Sequence, residues 1–96
     1  MLNSREQSLE LLNETHTFPT YMMFKVIGKN TDGFSGRVVA CVRDTLSLEM
    51  DPDFRSRTTE NARHISITVE PEVQNAEEVL KVYDRLKEVE GVVMLL

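Results

Sequence analysis

The chain has one cysteine, three prolines, four glycines and no tryptophan in 96 residues, and aromatic side chains make up only 6% of it. The single thiol, Cys41, excludes an intramolecular disulfide, a Cys-x-x-C redox site and a cysteine-rich zinc site. A reducing, cytoplasmic setting is expected. No apolar run reaches the roughly 18 residues that a membrane-spanning helix needs. The opening Met1-Leu2-Asn3-Ser4-Arg5-Glu6-Gln7 mixes acid with base and has no apolar segment behind it, so neither an ordinary secretory signal nor a membrane anchor is expected. Basic residues number 11 against 16 acidic ones, a net charge of −5. A field of that sign opposes non-specific attraction to nucleic acid or anionic lipid. The length allows one core and one domain.

The apolar residues that are present fall into short periodic runs. Ser4 with Gln7 has the spacing of a capping box, and Leu9 and Leu12 follow at helical intervals, so a short helix over about residues 5–14 is expected ahead of Phe18-Pro19. Tyr21 to Ile27 is aromatic and β-branched and ends at Gly28, which predicts a first strand with Phe24 and Val26 on one face. Asn30-Thr31-Asp32 offers capping oxygens to a helix whose apolar stripe is Phe34, Val38, Cys41 and Val42, ending near Leu46. Pro52 breaks any continuation. Asp53 to Thr58 then alternates charge and hydroxyl as a second strand, Glu60-Asn61-Ala62 makes a turn, and Ile65, Ile67 and Val69 alternate with His64, Ser66 and Thr68 in a third. Asn75 with Glu78 caps a helix striped by Val79, Val82, Tyr83 and Leu86, which is expected to stop at Gly91, and Val92 to Leu96 closes the chain as an apolar strand.

This order, strand-helix-strand-strand-helix-strand, is that of a ferredoxin-like α+β sandwich, a βαββαβ unit with an antiparallel sheet and an additional N-terminal helix. Residues 1–17 are then a helical extension and residues 18–96 the domain. In the usual strand order of this fold the second and fourth strands are edges. One edge is charged and discourages pairing with other sheets, while the other, Val92 to Leu96, is wholly apolar and invites it. A homodimer with Val93, Met94 and Leu95 in its interface is expected, with the open sheet face near this edge covered either by Leu9 and Leu12 or by a second subunit.

Several activities known for this shape lack their residues here. The expected open face shows His64, Ser66 and Thr68 on one central strand and Tyr21, Met23 and Lys25 on the other, too few rings for single-stranded RNA to stack on. The first strand-helix turn offers Lys29 but no arginine for acylphosphatase-type chemistry, and no cysteine pair for metal delivery. Gly33-Phe34-Ser35-Gly36 has a KH-like glycine pair in the wrong surroundings and is read as a flexible helix start. His16 and His64 lack a carboxylate or thiol to complete a ligand set, and Cys41 on the helix stripe reads as a small core hydrophobe. Accordingly no catalytic residue, metal or cofactor is assigned. The carboxylates of the last helix interleave with Lys81, Arg85 and Lys87 as a solvated face.

Two features carry functional weight. Arg55 and Arg57 should project from one strand face with Arg63 across the hairpin, an arrangement that protects an edge or receives an acidic protein partner. The turn Lys29-Asn30-Thr31-Asp32-Gly33 leads into a helix N-terminus whose free amides and lysine favour a small anion, although ordinary capping explains the same residues.

The segments Phe18-Pro19-Thr20, Phe24-Lys25-Val26-Ile27-Gly28, Val38-Val39 and His64-Ile65-Ser66-Ile67-Thr68-Val69 resemble those of the YbeD-like proteins, a bacterial family of small domains of unknown function. The resemblance covers about residues 16–96 and departs from shorter members in the N-terminal helix and a longer Leu46-to-Pro52 linker. It implies a ferredoxin-like fold similar to ACT-type regulatory domains, which bind small metabolites at subunit interfaces, using the turn equivalent to residues 28–33. It supplies no catalytic residue to carry over. A non-enzymatic interaction or regulatory role is therefore expected, with an ACT-like sensor of a small anionic metabolite as the alternative.

Overall fold

The computed structural model describes residues 2–96. In chain order the elements are α1 (Ser4–Thr15), β1 (Thr20–Tyr21), β2 (Phe24–Lys29), α2 (Phe34–Thr45), β3 (Phe54–Thr58), β4 (His64–Val69), β5 (Glu72–Val73), α3 (Ala76–Leu86) and β6 (Val92–Leu95). Four strands form an antiparallel sheet in the order β3-β4-β2-β6, so the charged and apolar strands are its two edges. The helices α2 and α3 cover one side of it.

The period-two pattern of the central strands decides which side is covered. Phe24, Val26, Ile67 and Val69 are fully buried, and they meet Val38 and Val42 of α2 and Val79, Val82 and Leu86 of α3 in one cluster. Each such side chain is worth roughly 1.5–3 kcal/mol on burial, and a one-residue slip of either strand would turn its whole set to solvent. The Phe24 and Tyr83 rings form a T-shaped pair with 5.1 Å between centroids.

Local chemistry departs from the sequence expectation at several ends. The first strand does not begin at Tyr21: Thr20–Tyr21 leaves the main sheet to pair with Glu72–Val73, and β2 starts only at Phe24. The cap of α1 is Asn3, whose side chain accepts the Glu6 amide at 2.8 Å, rather than Ser4 with Gln7. The box at α3 forms as read, with Asn75 accepting the Glu78 amide at 2.9 Å and the Glu78 carboxylate accepting the Gln74 amide at 2.6 Å. Gly91 is not the cap of α3, which ends at Leu86 with Lys87 as its cap; it turns the chain into β6 with φ 97°.

The N-terminal helix lies in the helix layer, not over the open sheet face. It packs beside α3, with Arg5 3.3 Å from Asp84 and Leu12 against the core. It buries none of its residues completely. Leu9 and Leu12 are therefore not the cover of the open face: the helix that carries them contacts α3, and Leu12 packs against the core on the helix side of the sheet.

Candidate functional site

The turn from Lys29 to Gly33 is built from backbone bonds more than from side-chain caps. The Lys29 amide donates to the Gly91 carbonyl at 2.9 Å, tying the end of β2 to the entry of β6. Asn30 does not cap α2; its amide and side chain donate to the Arg63 and Ala62 carbonyls at 3.0 and 2.9 Å, stitching this turn to the β3–β4 hairpin. The α2 cap is Gly33, in the left-handed region at φ 81° with no side-chain bond, so neither Thr31 nor Asp32 fills that role.

Arg37, which sequence reasoning passed over, closes the turn. Its guanidinium donates to the Asp32 and Glu90 carbonyls, each at 3.3 Å, and lies 5.8 Å above the Phe34 ring. Its Nε is buried without a partner. A cation in the first turn of a helix opposes the helix dipole. That misfit is the sequence signal that marks it: the residue is there to bind carbonyls from two other segments.

The open sheet face brings together residues scattered through the chain. One row across the strands runs Lys25, Thr68, Arg55, and the next runs Ile27, Ser66, Arg57. Leu96 exchanges backbone bonds with Lys25, and Met94 lies opposite Ile27, so these extend the two rows onto the apolar edge. Arg55 and Arg57 thus share a face as read, with Lys25 across from them. Arg63 stands apart in the hairpin turn, its amide bonded to Asn61 and its carbonyl to Asn30. The Arg55 guanidinium engages the Glu70 carboxylate. Thr68 is only 8% exposed although it lies on the uncovered side, walled in by the longer side chains around it.

The closing strand divides its residues as alternation requires. Leu95 pairs with Val26 and packs on the core, whereas Met94 is 50% exposed on the open face. An irregularity opposite Ile27 and Gly28 leaves Val93 outside the ladder and 55% exposed. Elsewhere, Cys41 is half-buried against the core, and burial pushes its thiol up from the ordinary value. Tyr83 is raised for the same reason. His16 packs near Phe18 in the connector, far in sequence from His64 on β4.

Comparison with known proteins places this architecture in a family. A family model described as a protein of unknown function, DUF493, matches residues 13–96. A UPF0250 protein of Shewanella piezotolerans is 31% identical over 80 residues, covering 83% of this chain and 89% of its own. A UPF0250 protein of Haemophilus influenzae is 26% identical over 91 residues, covering 95% and 97%. Among solved structures, protein HP0495 from H. pylori superposes with a TM-score of 0.66 at 21% identity, over 84% of this chain and 85% of that one. The ACT domain of a GTP pyrophosphokinase from Chlorobium tepidum gives a TM-score of 0.58 at 14% identity, over 79% and 94%. At those identities the likeness is one of fold, an α+β sandwich of the ACT and ferredoxin-like kind. The chain belongs to the DUF493 family, whose UPF0250 members are the YbeD-like proteins its strand motifs resemble.

Proposed function

We propose that this chain is a non-enzymatic interaction or regulatory domain of the bacterial cytoplasm that works as a homodimer. The observation that supports dimerisation is the closing edge. β6 pairs on one side only, and Val93, Met94 and Leu96 are each about half exposed beside it. Unpaired strand edges flanked by apolar side chains recruit another strand, and no charge or proline blunts this one. Because α1 sits in the helix layer, none of the described residues relieves the exposure. Sedimentation equilibrium at high micromolar concentration should return a dimer, and Met94→Lys should shift it to monomer by placing a charge in an apolar contact. A strict monomer under those conditions overturns the homodimer.

A second reading, an ACT-like sensor of a small anion at Lys29 to Gly33, is supported by the fold likeness to an ACT domain and by the left-handed Gly33 that opens α2. Thermal stabilisation by amino acids or small anions separates the two, since a ligand that binds only the native state raises its melting temperature.

A further inference from the structure

The open face has a second region, running from β2 beside the apolar edge across to β3, and its chemistry is different. Two adjoining depressions of about 450 and 310 Å³ share Lys25, Arg57 and Ser66 and together make a trough along β3 and β4. Lys25 stands on one wall, Arg55 and Arg57 on the other, and the hydroxyls of Ser66 and Thr68 lie between them. Four of the chain's 11 basic residues, Lys25, Lys29, Arg55 and Arg57, project from this face of an acidic protein. Glu70 takes up Arg55, but among the described residues no carboxylate lies within 4.0 Å of Lys25 or Arg57. Glu60 at the far end is the only acid lining the two depressions.

We propose that this trough docks an extended acidic segment of another protein, with Lys25 and Arg57 as its anchoring cations. The inference rests on reading the chain as an interaction domain and does not require that it dimerise. The shape favours a strand-like ligand, because the trough follows a five-residue strand and is open along its length. In an extended chain successive side chains point to opposite sides, so neighbouring acidic residues reach opposite walls, one to Lys25 and the next to Arg57. Arginine grips a carboxylate through its fork while lysine supplies a mobile point charge. Ser66 presents its hydroxyl to the segment's backbone. A nucleic acid strand fits less well, since no aromatic ring lines either depression for bases to stack on.

The test uses the full chain and a fluorescein-labelled hexaglutamate peptide, followed by fluorescence anisotropy at low and physiological salt. Binding should be measurable at low salt and weaken as salt screens the exposed charges. Lys25→Ala with Arg57→Ala should lower affinity about tenfold, a loss of about 1.4 kcal/mol. Arg5→Ala, a cation on the helix layer, should leave it unchanged. Circular dichroism checks that the variants fold, and Lys25→Gln with Arg57→Gln serves if the alanine pair does not. Wild-type affinity in the folded double variant overturns the site, as does the absence of binding at low salt. Tighter binding of an oligothymidylate carrying the same charge also overturns it, in favour of nucleic acid. Sedimentation of the same samples reports the oligomeric state separately, so a monomer that binds the peptide refutes the dimer and leaves the trough standing.

Discussion

Replacing Gly28 by alanine puts a methyl group where the structure has a ring. Gly28 sits on the helix-facing side of β2, and a Cβ there would stand 2.1 and 2.6 Å from Cζ and Cε2 of Phe34 and 2.7 Å from the carbonyl oxygen of Gly91. Neither neighbour yields easily. Phe34 is 1% exposed and its opposite edge faces Gly91, while the Gly91 carbonyl accepts the Lys29 amide that joins β2 to β6. Two opposing effects set the sign. In ordinary strand geometry, alanine for glycine restricts the unfolded chain and stabilises by about 0.4–1 kcal/mol. Overpacking costs about 1–3 kcal/mol, with the upper end fitting a clash that includes backbone. The net expectation is a loss of about 2 kcal/mol, which in a domain of this size lowers the melting temperature by roughly 10 °C. Urea denaturation followed by far-ultraviolet circular dichroism measures it, because the chain has no tryptophan to report. Adding Phe34→Leu should recover part of the loss by withdrawing ring atoms from the methyl, a favourable coupling in a double-mutant cycle. An alanine variant as stable as the parent, or strictly additive losses in the cycle, would refute the steric account.

Leu95→Lys and Met94→Lys should part company: the first unfolds the domain by placing a charge against Val26 and the core, while the second changes stability by less than about 0.5 kcal/mol and acts on association. Denaturation and sedimentation of the same two proteins check this together. If the Lys29-to-Gly33 turn takes a small anion, Lys29→Ala should weaken its binding in calorimetry without lowering stability, and equal affinity counts against the sensor. Cys41, raised by burial, keeps its proton in the folded state over a pH range where the unfolded chain has already lost it. Its contribution is present in full below the ordinary thiol value and falls as pH rises through the raised one. Stability measured from about pH 8 to pH 10 should therefore decline less steeply in Cys41→Ala.

The layers of the fold were legible because each main element carries a pattern of its own period. Phe24 with Val26 and Ile65 with Ile67 and Val69 mark two strands with one buried side, and the buried α3 residues Val79, Val82 and Leu86 repeat at helical intervals. Where no period exists, nothing was there to read. The two-residue ladder of Thr20–Tyr21 with Glu72–Val73 is too short for alternation, so Tyr21 merged with the strand that follows it. Similarly, a side-chain cap leaves a signature in the sequence, even where, as at Asn3, it is read one residue off at Ser4, and a backbone cap leaves none. Asn75 was therefore found, while Gly33 at the head of α2 went unrecognised behind the three capping residues before it.

The trough was hidden for a different reason, since its parts lie far apart in the chain. Lys25, Arg57 and Ser66 belong to three strands, and only the register Ile27–Ser66–Arg57, with Lys25–Thr68–Arg55 beside it, sets them on one surface. A reading along the sequence meets Arg55 and Arg57 as an edge that repels other sheets, and Lys25 as one exposed residue of an apolar strand. Register changes what those charges mean. Edge protection needs charge on β3 alone, and it gains nothing from a lysine on β2, with β4 lying between. Cations on both walls of a channel floored by hydroxyls answer the geometry of a ligand that lies between them. Strand pairing at β6 would leave β3 and β4, with Arg57 and Ser66, uncovered, while the Lys25 wall on β2 borders the apolar edge.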